Sequence, residues 1–507
     1  MDLLTYTIIG LSTFPIKEPT QSFNMPIQNF PNEILSEIFV HCLPRPYRLG
    51  EEYEDFEGDM LEPNDDEPVV DVVKDKTRRR PYFRTFLETR GCDIRPHRPG
   101  RIQYPELIPL ILRRVCKRWK EIVEKTPQLF QTLMLTKNFL NPYIAIQWLH
   151  WSRNLPMIVI LVPEYWNVRD AERTLILTLI ARHMPRIRYL GITMSPYLRI
   201  LLPEGSKTVA PMLQHFQILY SCFHTEILES LDDAGDATFG ELVSDNLRFL
   251  FLKDLCMGSP TVVFGTQSLV HFQDTGSYHD PKDIFHLLST CVNLQSFSVA
   301  CEEDHTSSLE PPPNEIVLPY LTSFFMELIC GETDFPLLSR IIERLRTPSL
   351  KDFEVHPKNT VNIDESLLFN AIASWFSSCQ PSLETFKMND LTVDEELFRT
   401  VVATGSSMYL LRLSDQIGEG ILDALRNPHA LPRLTNLQFS WAQFHTPIDV
   451  VLEVIRGRLP VAEPPGCLQY IRLTRCTDAE GHEIAEELKE KIALIVETCP
   501  GLNIKVY

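Results

Sequence analysis

Glycine, closely spaced cysteines and long apolar runs are scarce in this sequence, and each shortage excludes a class of protein. There are 20 glycines against 38 prolines in 507 residues, which is not the composition of a flexible linker. The 12 cysteines form no Cys-x-x-Cys pair and no zinc-finger spacing, so we expect no metal site, and reduced thiols in a protein of the cytoplasm, the nucleus or both. No apolar run approaches the roughly 18 residues of a membrane span, and the run at 3–11 lacks the basic flank of a secretory signal.

Positive charge is also in deficit. The chain has 48 basic and 67 acidic residues, a net charge of −19, which disfavours nucleic acid and membrane surfaces as partners. Residues 51–75 contain twelve acids and one base, whereas residues 76–101 contain nine bases and two acids. This polarised stretch predicts a disordered insert at about 45–104 whose two halves attract each other. An alternative for its basic cluster at 74–81 is a nuclear-import or anion-binding segment.

Amphipathic helices are predicted on both sides of the insert. Residues 30–43 place apolar side chains at helical spacing behind Pro31 and Glu33, which suit a first turn. Residues 105–125 keep this spacing as one continuous helix until Thr126-Pro127 ends it. Its outer face is basic, and we expect that face to be solvated because no aromatic residues are interleaved with it.

From about residue 187 the sequence repeats. A core of the form Leu-x-x-Leu-x-Leu, with other apolar residues allowed, recurs at intervals from 22 residues (Leu247 to Leu269) to 34 residues (Leu213 to Leu247). The first residues of these cores, here called anchors, are Ile187, Leu213, Leu247, Leu269, Leu294, Leu321, Leu350, Leu383, Met408, Leu434, Leu468 and Leu502. Short alternating segments of this period, separated by helical stretches, predict an α/β solenoid of parallel strand-plus-helix units.

Proline has a fixed place in this repeat. Seven anchors have a proline two positions upstream: Pro185, Pro211, Pro319, Pro348, Pro381, Pro432 and Pro500. Proline cannot continue a helix, and its fixed φ suits an extended segment. We therefore expect these prolines to stop each helix and to open the next strand.

Three N-terminal motifs carry a family resemblance. FPNEILSEIF (30–39), VCKRW (115–119) and TPQLF (126–130) resemble, in order, the three landmarks of an F-box. Together with the repeats, they are similar to the large fungal family in which an F-box precedes a degenerate leucine-rich-repeat body, and residues 145–161 resemble the connector of such proteins. The insert separates the first two motifs. The longer loop adds only about 1 kcal/mol to the entropic cost of closing the loop between them.

The resemblance implies a substrate-receptor subunit of a Skp/cullin/F-box ubiquitin ligase. Its F-box would dock the Skp adaptor, and through it a cullin, while the repeats bind a protein target. The adaptor-binding residues that it implies are Pro31, Ile34, Leu35, Ile38, Phe39, Val115, Cys116 and Trp119. Phe39 and Trp119 could equally serve the core of the F-box itself. The alternative is a leucine-rich-repeat scaffold or adaptor protein without attachment to a ligase.

The predicted strands also indicate a target-binding face. If the strands line one face of the solenoid, the side chains located two and four positions after each anchor will point outward from that face, because side-chain direction alternates along a strand. The candidates on that face are Tyr189, Phe249, Phe251, Phe325, Arg412 and Arg472. Burial under a neighbouring loop, or a slip in register, is the competing interpretation for Phe249 and Phe251.

Catalytic motifs are missing. HEIAE (482–486) has glutamate where the zinc motif needs its second histidine, and IGEG (417–420) lacks the third glycine and the strand-to-helix context of a dinucleotide loop. We expect no enzyme activity, no catalytic residue and no cofactor. The predicted domains are a flexible segment at 1–27, an F-box with its insert at 28–130, a connector at 131–186 and the solenoid at 187–507.

Overall fold

Helices and mostly parallel strands make up the described part of the chain, so the α/β class is confirmed. In the computed structural model, the residues described are 30–42, 108–135, 142–161, 169–193, 198–219, 239–253, 262–302, 315–329, 335–358, 366–458, 468–478 and 502–506, together with 480, 482, 491, 492 and 495. Two compact units are present, one of Met1–Met134 with Gln147–Leu155 and the other of Leu135–Ile146 with Pro156–Tyr507. The predicted segment at 1–27, the charged insert and Pro500 lie outside the described residues, as does most of HEIAE.

Among its described residues up to 130, the first unit has three short helices: α1 (Asn32–Cys42), α2 (Ile108–Leu112) and α3 (Lys117–Lys125), followed by a 3₁₀ turn at Pro127–Phe130. The prediction of one continuous helix over 105–125 is wrong, because a turn separates α2 from α3. Cys116 has an extended backbone (φ −160°, ψ 170°), and its Sγ accepts a hydrogen bond from the Trp119 N–H at 3.5 Å. Cys116 therefore caps α3 where the apolar spacing alone suggests an uninterrupted helix.

The remaining described elements begin at residue 132. In chain order they are β1 (Thr132–Leu135), α4 (Pro142–Trp151), β2 (Met157–Leu161), α5 (Asp170–Arg182), β3 (Ile187–Thr193), α6 (Leu198–Leu201), β4 (Lys207–Val209), β5 (His215–Leu219), β6 (Glu241–Ser244), β7 (Phe249–Lys253), β8 (Val262–Phe264), β9 (His271–His279), α7 (Pro281–Thr290), β10 (Ser296–Glu302), β11 (Ile316–Val317), β12 (Ser323–Ile329), α8 (Pro336–Glu343), β13 (Leu345–Arg346), β14 (Asp352–Lys358), α9 (Ser366–Cys379), β15 (Thr385–Thr392), α10 (Glu395–Thr404), β16 (Leu410–Ile417), α11 (Glu419–Arg426), β17 (Asn436–Phe444), α12 (Ile448–Gly457), β18 (Tyr470–Thr474) and β19 (Asn503–Val506).

The main sheet of the second unit takes its strands in chain order. From β2 it continues β3-β5-β7-β9-β10-β12-β14-β15-β16-β17-β18-β19, while β4-β6-β8 and β11-β13 form two small parallel sheets. Adjacent strands of the main sheet pair in parallel and in register with the repeat, so that Ser323 of β12 lies between Ser296 and Asp352. Each crossover returns the chain to the same end of the sheet, which is the arrangement that a strand-plus-helix repeat requires.

The anchors form the base of the core. All twelve are buried, at the entrance to the strand that each predicts. Three positions later, phenylalanines on five successive strands pack ring against ring, with centroid separations of 5.7, 5.6, 6.0 and 5.6 Å. This phenylalanine ladder consists of Phe272, Phe297, Phe324, Phe353 and Phe386. The apolar positions of the repeat are therefore its core contacts.

Most of the described repeat prolines occupy a turn rather than the strand entrance. Five of them sit at the second position of a turn closed by a hydrogen bond from the anchor N–H to the carbonyl three residues earlier: Pro185, Pro211, Pro319, Pro348 and Pro432. In one such turn the Leu350 N–H donates to the Thr347 carbonyl at 3.1 Å. Proline pre-sets the backbone for that position, so the expectation of a direct strand opening is corrected.

Helices cover the core side of several strands. Asp280 caps α7 by accepting the Lys282 N–H at 2.8 Å, as the sequence indicates. Arg458, which follows α12, is buried and donates to the carbonyl oxygens of Leu425, Asn427 and Leu431. These hydrogen bonds join the residue after α12 to the end of α11 and to the loop that follows α11.

Candidate functional site

The first unit is built around an aromatic pair. Phe39 of α1 and Trp119 of α3 are 1% and 4% exposed, with ring centroids 4.7 Å apart. Leu35, one turn before Phe39, is fully buried. These three predicted adaptor-binding residues therefore lie in the core of the unit.

The remaining predicted adaptor-binding residues lie nearer the surface. Ile34 and Val115 are each 46% exposed, Pro31 and Cys116 are exposed, and Ile38 is half-buried. Val115 and Cys116 belong to the turn between α2 and α3. The turn directs both side chains away from the core of the unit, where a continuous helix would bury them. The structure thus divides the eight predicted residues into three core residues and five that water reaches.

Polar contacts fix the helix that carries Ile34. The Arg118 guanidinium donates to the Asn32 side-chain oxygen at 2.9 Å, at the start of α1. Thr126, buried at the end of α3, donates its hydroxyl hydrogen to the Ile122 carbonyl at 2.8 Å and lies 3.1 Å from the Ser36 hydroxyl oxygen. These bonds join α1 to both ends of α3, so the exposed side chain of Ile34 is held on a supported helix.

The third motif, TPQLF (126–130), packs within the same unit. Phe130, fully buried at the end of the 3₁₀ turn, packs against Trp148 at 5.1 Å and Trp151 at 4.9 Å between ring centroids. The Arg113 guanidinium lies 4.0 Å over the Trp151 ring and pairs with Glu124 at 2.5 Å. Part of the predicted basic face is therefore engaged in contacts within the unit.

The outward face of the second unit begins with four stacked rings. Tyr189, His215, Phe249 and His271 occupy the same register position on β3, β5, β7 and β9, with centroid separations of 4.4, 5.2 and 4.7 Å. Tyr189 and His215 are buried, whereas Phe249 is half-buried. Burial, and then the neighbouring His271, lower the pKa of His215 to about 3, and burial, followed by Arg248, lowers the pKa of His271 to about 4. Both imidazoles are therefore uncharged at neutral pH.

The other predicted target-binding residues differ in exposure. Phe251 and Phe325 are half-buried, Arg412 is half-buried and Arg472 is only 7% exposed. All four lie on the predicted face, because strand pairing places them in one row across the sheet. The row runs Phe251, Gln273, Ser298, Phe325, Glu354, Lys387, Arg412, Gln438 and Arg472. The predicted register is confirmed, while the exposure of this face is lower than the alternation alone suggests.

Two residues at the C-terminal strands were not predicted. Trp441 is 55% exposed, and the Arg475 guanidinium lies 4.2 Å over its ring. Both have left-handed backbones (φ 58° and 51°), as does Asp415 at φ 60°. Such a backbone costs a non-glycine residue on the order of 1–3 kcal/mol and recurs at functional sites. Strand alternation gives no signal for these residues, because each follows a break in the alternation.

Hydrogen bonds connect this pair to the predicted arginines. The Arg412 Nε donates to the Ser440 hydroxyl at 3.3 Å, and Ser440 directly precedes Trp441. The Arg472 Nε donates to the Thr474 hydroxyl at 3.1 Å, and Thr474 directly precedes Arg475. We call Arg412, Trp441, Arg472 and Arg475 the arginine–tryptophan cluster.

Groups suited to catalysis are sparse among the described residues. No set of three or more His, Cys, Asp or Glu side chains there could hold a metal ion. The described cysteines are free thiols, and burial raises the pKa of Cys476 to about 12. IGEG does connect a strand, β16, to a helix, α11, which corrects the sequence interpretation, but the Glu395 carboxylate packs against Gly420. A carboxylate in that place disfavours a phosphate.

Comparison with known proteins assigns no family to the chain. No family model matches the chain, and no curated protein matches its sequence. Within the described residues, none of the helices has both the length and the apolar character needed to cross a bilayer.

Proposed function

We propose that the protein is a substrate-receptor subunit of a Skp/cullin/F-box ubiquitin ligase. In this proposal the first unit is an F-box that docks the Skp adaptor, and the second unit is a leucine-rich-repeat solenoid that binds a protein target. The protein itself has no catalytic role in this assignment. The ligase chemistry belongs to the complex that the adaptor joins.

The observation that carries the proposal is the exposure of Ile34 and Val115. Both are apolar side chains, 46% exposed, on a unit whose aromatic core is already complete without them. A small helical unit with a closed core gains nothing from apolar residues in water, so their exposure favours a partner that covers them. Ile111, 49% exposed at the end of α2, is a third exposed apolar side chain of this unit.

Three features of the second unit support its assignment as a leucine-rich-repeat body. Buried anchors stand at the entrance of each predicted strand, the strands pair in parallel and in chain order, and the phenylalanine ladder runs through successive repeats. Each repeat contributes one strand to a shared sheet and cannot bury its apolar face alone. A partner-binding face made of many strands follows from that construction.

Co-purification with the Skp adaptor tests the proposal. We expect the full chain to retain purified adaptor, and the double variant Ile34→Asp/Val115→Asp to lose it, because two carboxylates would be desolvated in the interface. Leu35 is unsuited to this test, since a carboxylate in the core would unfold the unit. Leu175→Asp, at a residue 50% exposed on α5 of the other unit, is the matched control and should bind like the wild type.

Failure of the wild-type chain to bind the adaptor would overturn the ligase assignment. The repeat body would then be a scaffold or adaptor protein that holds partners without ligase attachment. Equal loss in the double variant and in the Leu175→Asp control would also count against the proposal, since the effect would not be specific to the first unit.

A further inference from the structure

We propose that the outward face of β7, β9, β10 and β12 binds an extended, uncharged segment of the target protein that carries two bulky apolar side chains four residues apart. We call this part of the face the aromatic–serine surface. It consists of Phe251, Gln273, Ser296, Ser298, Ser323 and Phe325. The role of the bound protein as a ligase target rests on the proposed function, whereas the binding itself requires only the second unit.

The form of the aromatic–serine surface is the first reason for this assignment. One row across the sheet contains Phe251, Gln273, Ser298 and Phe325. Two strands lie between the phenylalanines, so their backbones are about 14 Å apart at the usual strand spacing of about 4.8 Å. In an extended segment that crosses the strands, residues four apart lie on one side at a separation of about 13 Å. Two apolar side chains of such a segment can therefore meet the Phe251 and Phe325 rings, with the shorter serine side chains beneath the residues between them.

Solvent reaches this surface. Phe251, Gln273, Ser296, Ser323 and Phe325 are half-buried, and Ser298 is 9% exposed. Aromatic side chains with open edges above short polar neighbours form the kind of centre where binding energy concentrates in protein interfaces.

Charge is absent from the two outward rows at this end of the sheet. The rows two and four positions after the anchors hold two residues on each of six strands, from β3 to β12, and none of these is Asp, Glu, Lys or Arg. The two histidines among them are uncharged at neutral pH. Charged residues border the rows: Arg248 lies 5.9 Å over the Phe249 ring, Glu327 follows on β12, and Asp352 and Glu354 begin the next strand. An uncharged segment therefore matches the rows better than a charged one.

Hydrogen-bonding capacity is unused on this surface. The three serine hydroxyls and the Gln273 amide have no hydrogen-bond partner among the described residues. On the next strands, in contrast, outward polar side chains bind one another: Thr385 donates to Asp352 at 2.6 Å, and Asn389 donates to Glu354 at 2.9 Å. An extended segment offers backbone N–H and C=O groups to free hydroxyls and amides. This difference favours the aromatic–serine surface over the charged strands as the binding site.

Nucleic acid is the less favoured occupant. Binding of a single strand combines aromatic platforms with basic side chains that follow the phosphates, and the two outward rows from β3 to β12 contain no lysine or arginine. The net charge of −19 also repels a polyanion at long range.

Selection from a random 12-residue peptide library displayed on phage, with the immobilised full chain as bait, tests this inference. We expect the enriched peptides to share two bulky apolar residues four positions apart and to have a net charge near zero. Fluorescence anisotropy of the most enriched peptide, synthesised with a label, then measures its affinity for the wild type and for variants. Replacing either apolar residue of that peptide by serine should weaken binding by about tenfold.

Variants that take the residue of a neighbouring strand address the two phenylalanines. Glutamine occupies the position equivalent to Phe251 on both adjacent strands, and serine occupies the position equivalent to Phe325 on β10. We expect Phe251→Gln and Phe325→Ser each to weaken binding by about tenfold, and Gln273→Ala to weaken it by about threefold. Tyr320→Ser, at a residue 56% exposed ahead of the strand that carries Phe325, is the matched control and should bind within about twofold of the wild type.

The outcomes separate this inference from the proposed function. Absence of any enriched peptide, enrichment of charged peptides without the apolar pair, unchanged affinity in the surface variants, or equal weakening by Tyr320→Ser would overturn it. Binding of a labelled 12-nucleotide single-stranded RNA with the same dependence on Phe251 would also overturn it and assign the surface to nucleic acid. Circular dichroism establishes that each variant is folded, and Gln273→Ala, which removes only a half-buried amide, serves where a phenylalanine variant does not fold. Adaptor retention by the same preparations reports independently on the first unit.

Discussion

Truncation of Phe353 should locally destabilise the repeat body. Its ring is 1% exposed, lies 6.0 and 5.6 Å from Phe324 and Phe386, and meets Trp375 and Phe376 of α9 at 5.8 and 5.1 Å. Replacing a buried phenylalanine by alanine costs about 3–5 kcal/mol, through lost burial and the cavity left behind. Aromatic pairs add about 0.5–1.5 kcal/mol each, so we expect Phe353→Ala to fall at the upper end of that range.

Hydrogen exchange measured by mass spectrometry can resolve where this stability is lost. Repeats contact mainly their neighbours, so the effect of one substitution should spread by one or two repeats and then fade. We expect faster exchange in β12, β14, β15 and α9 and little change in β3 and β5. Tyr320→Ala, at a residue 56% exposed, is the surface control and should change the stability by less than about 0.5 kcal/mol.

Two results would refute this reasoning. If Phe353→Ala destabilised the protein no more than Tyr320→Ala, the phenylalanine ladder would not be a source of stability. If exchange rose equally in every strand of the main sheet, the body would unfold as one cooperative unit rather than as coupled repeats.

Three further substitutions address single buried groups. Burial lowers the pKa of His215 to about 3, so the unfolded state binds the proton first as the pH falls below about 6.5. The contribution of His215 to the free energy of unfolding should therefore drop by about 2 kcal/mol at pH 5. His215→Phe should remove this pH-dependent contribution in urea titrations, and an unchanged pH profile would refute the assignment. Arg458→Lys cannot keep all three hydrogen bonds to carbonyl oxygens and should lower the free energy of unfolding by about 2–4 kcal/mol in the same assay. A decrease no larger than that of Arg456→Ala, at an exposed arginine in the last turn of α12, would contradict the stabilising role of these hydrogen bonds. Trp375→Phe removes the 3.0 Å bond from Nε1 to the buried Thr347 hydroxyl and should cost about 1–2 kcal/mol; a neutral result would show that this hydroxyl finds another partner.

The repeat was predictable because it combines two strong signals. A strand with alternate apolar residues and a buried apolar anchor upstream leaves little freedom of register, and Ser323, Asp352 and their equivalents pair as the anchors imply. The prolines were placed correctly in sequence but were assigned the wrong local structure, since Pro348 sits inside a turn that the Leu350 N–H closes. Proline suits both the second position of a turn and an extended segment, so the sequence alone does not distinguish the two.

The first unit shows a different limit. Helical spacing identifies the apolar stripe of α1, but it does not say which part of that stripe meets the unit's own core. Leu35 is buried and Ile34 is 46% exposed, although they are adjacent in sequence. The break before α3 depends on Cys116 acting as a cap, a role for which serine, threonine, asparagine and aspartate are the usual residues.

The arginine–tryptophan cluster was half predicted. Arg412 and Arg472 follow from strand alternation, since both lie four positions after an anchor. Trp441 and Arg475 depend on left-handed backbones at φ 58° and 51°, which neither residue type favours. Only the three-dimensional fold brings Arg475 over the Trp441 ring.

Calorimetric titration of the full chain with purified Skp adaptor tests the central claim most directly. We predict a saturable one-to-one complex for the wild type and for Leu175→Asp, and no measurable heat of binding for Ile34→Asp/Val115→Asp. Absence of binding by the folded wild-type chain, or unchanged affinity in the double variant, would contradict the assignment of the first unit as an adaptor-binding F-box.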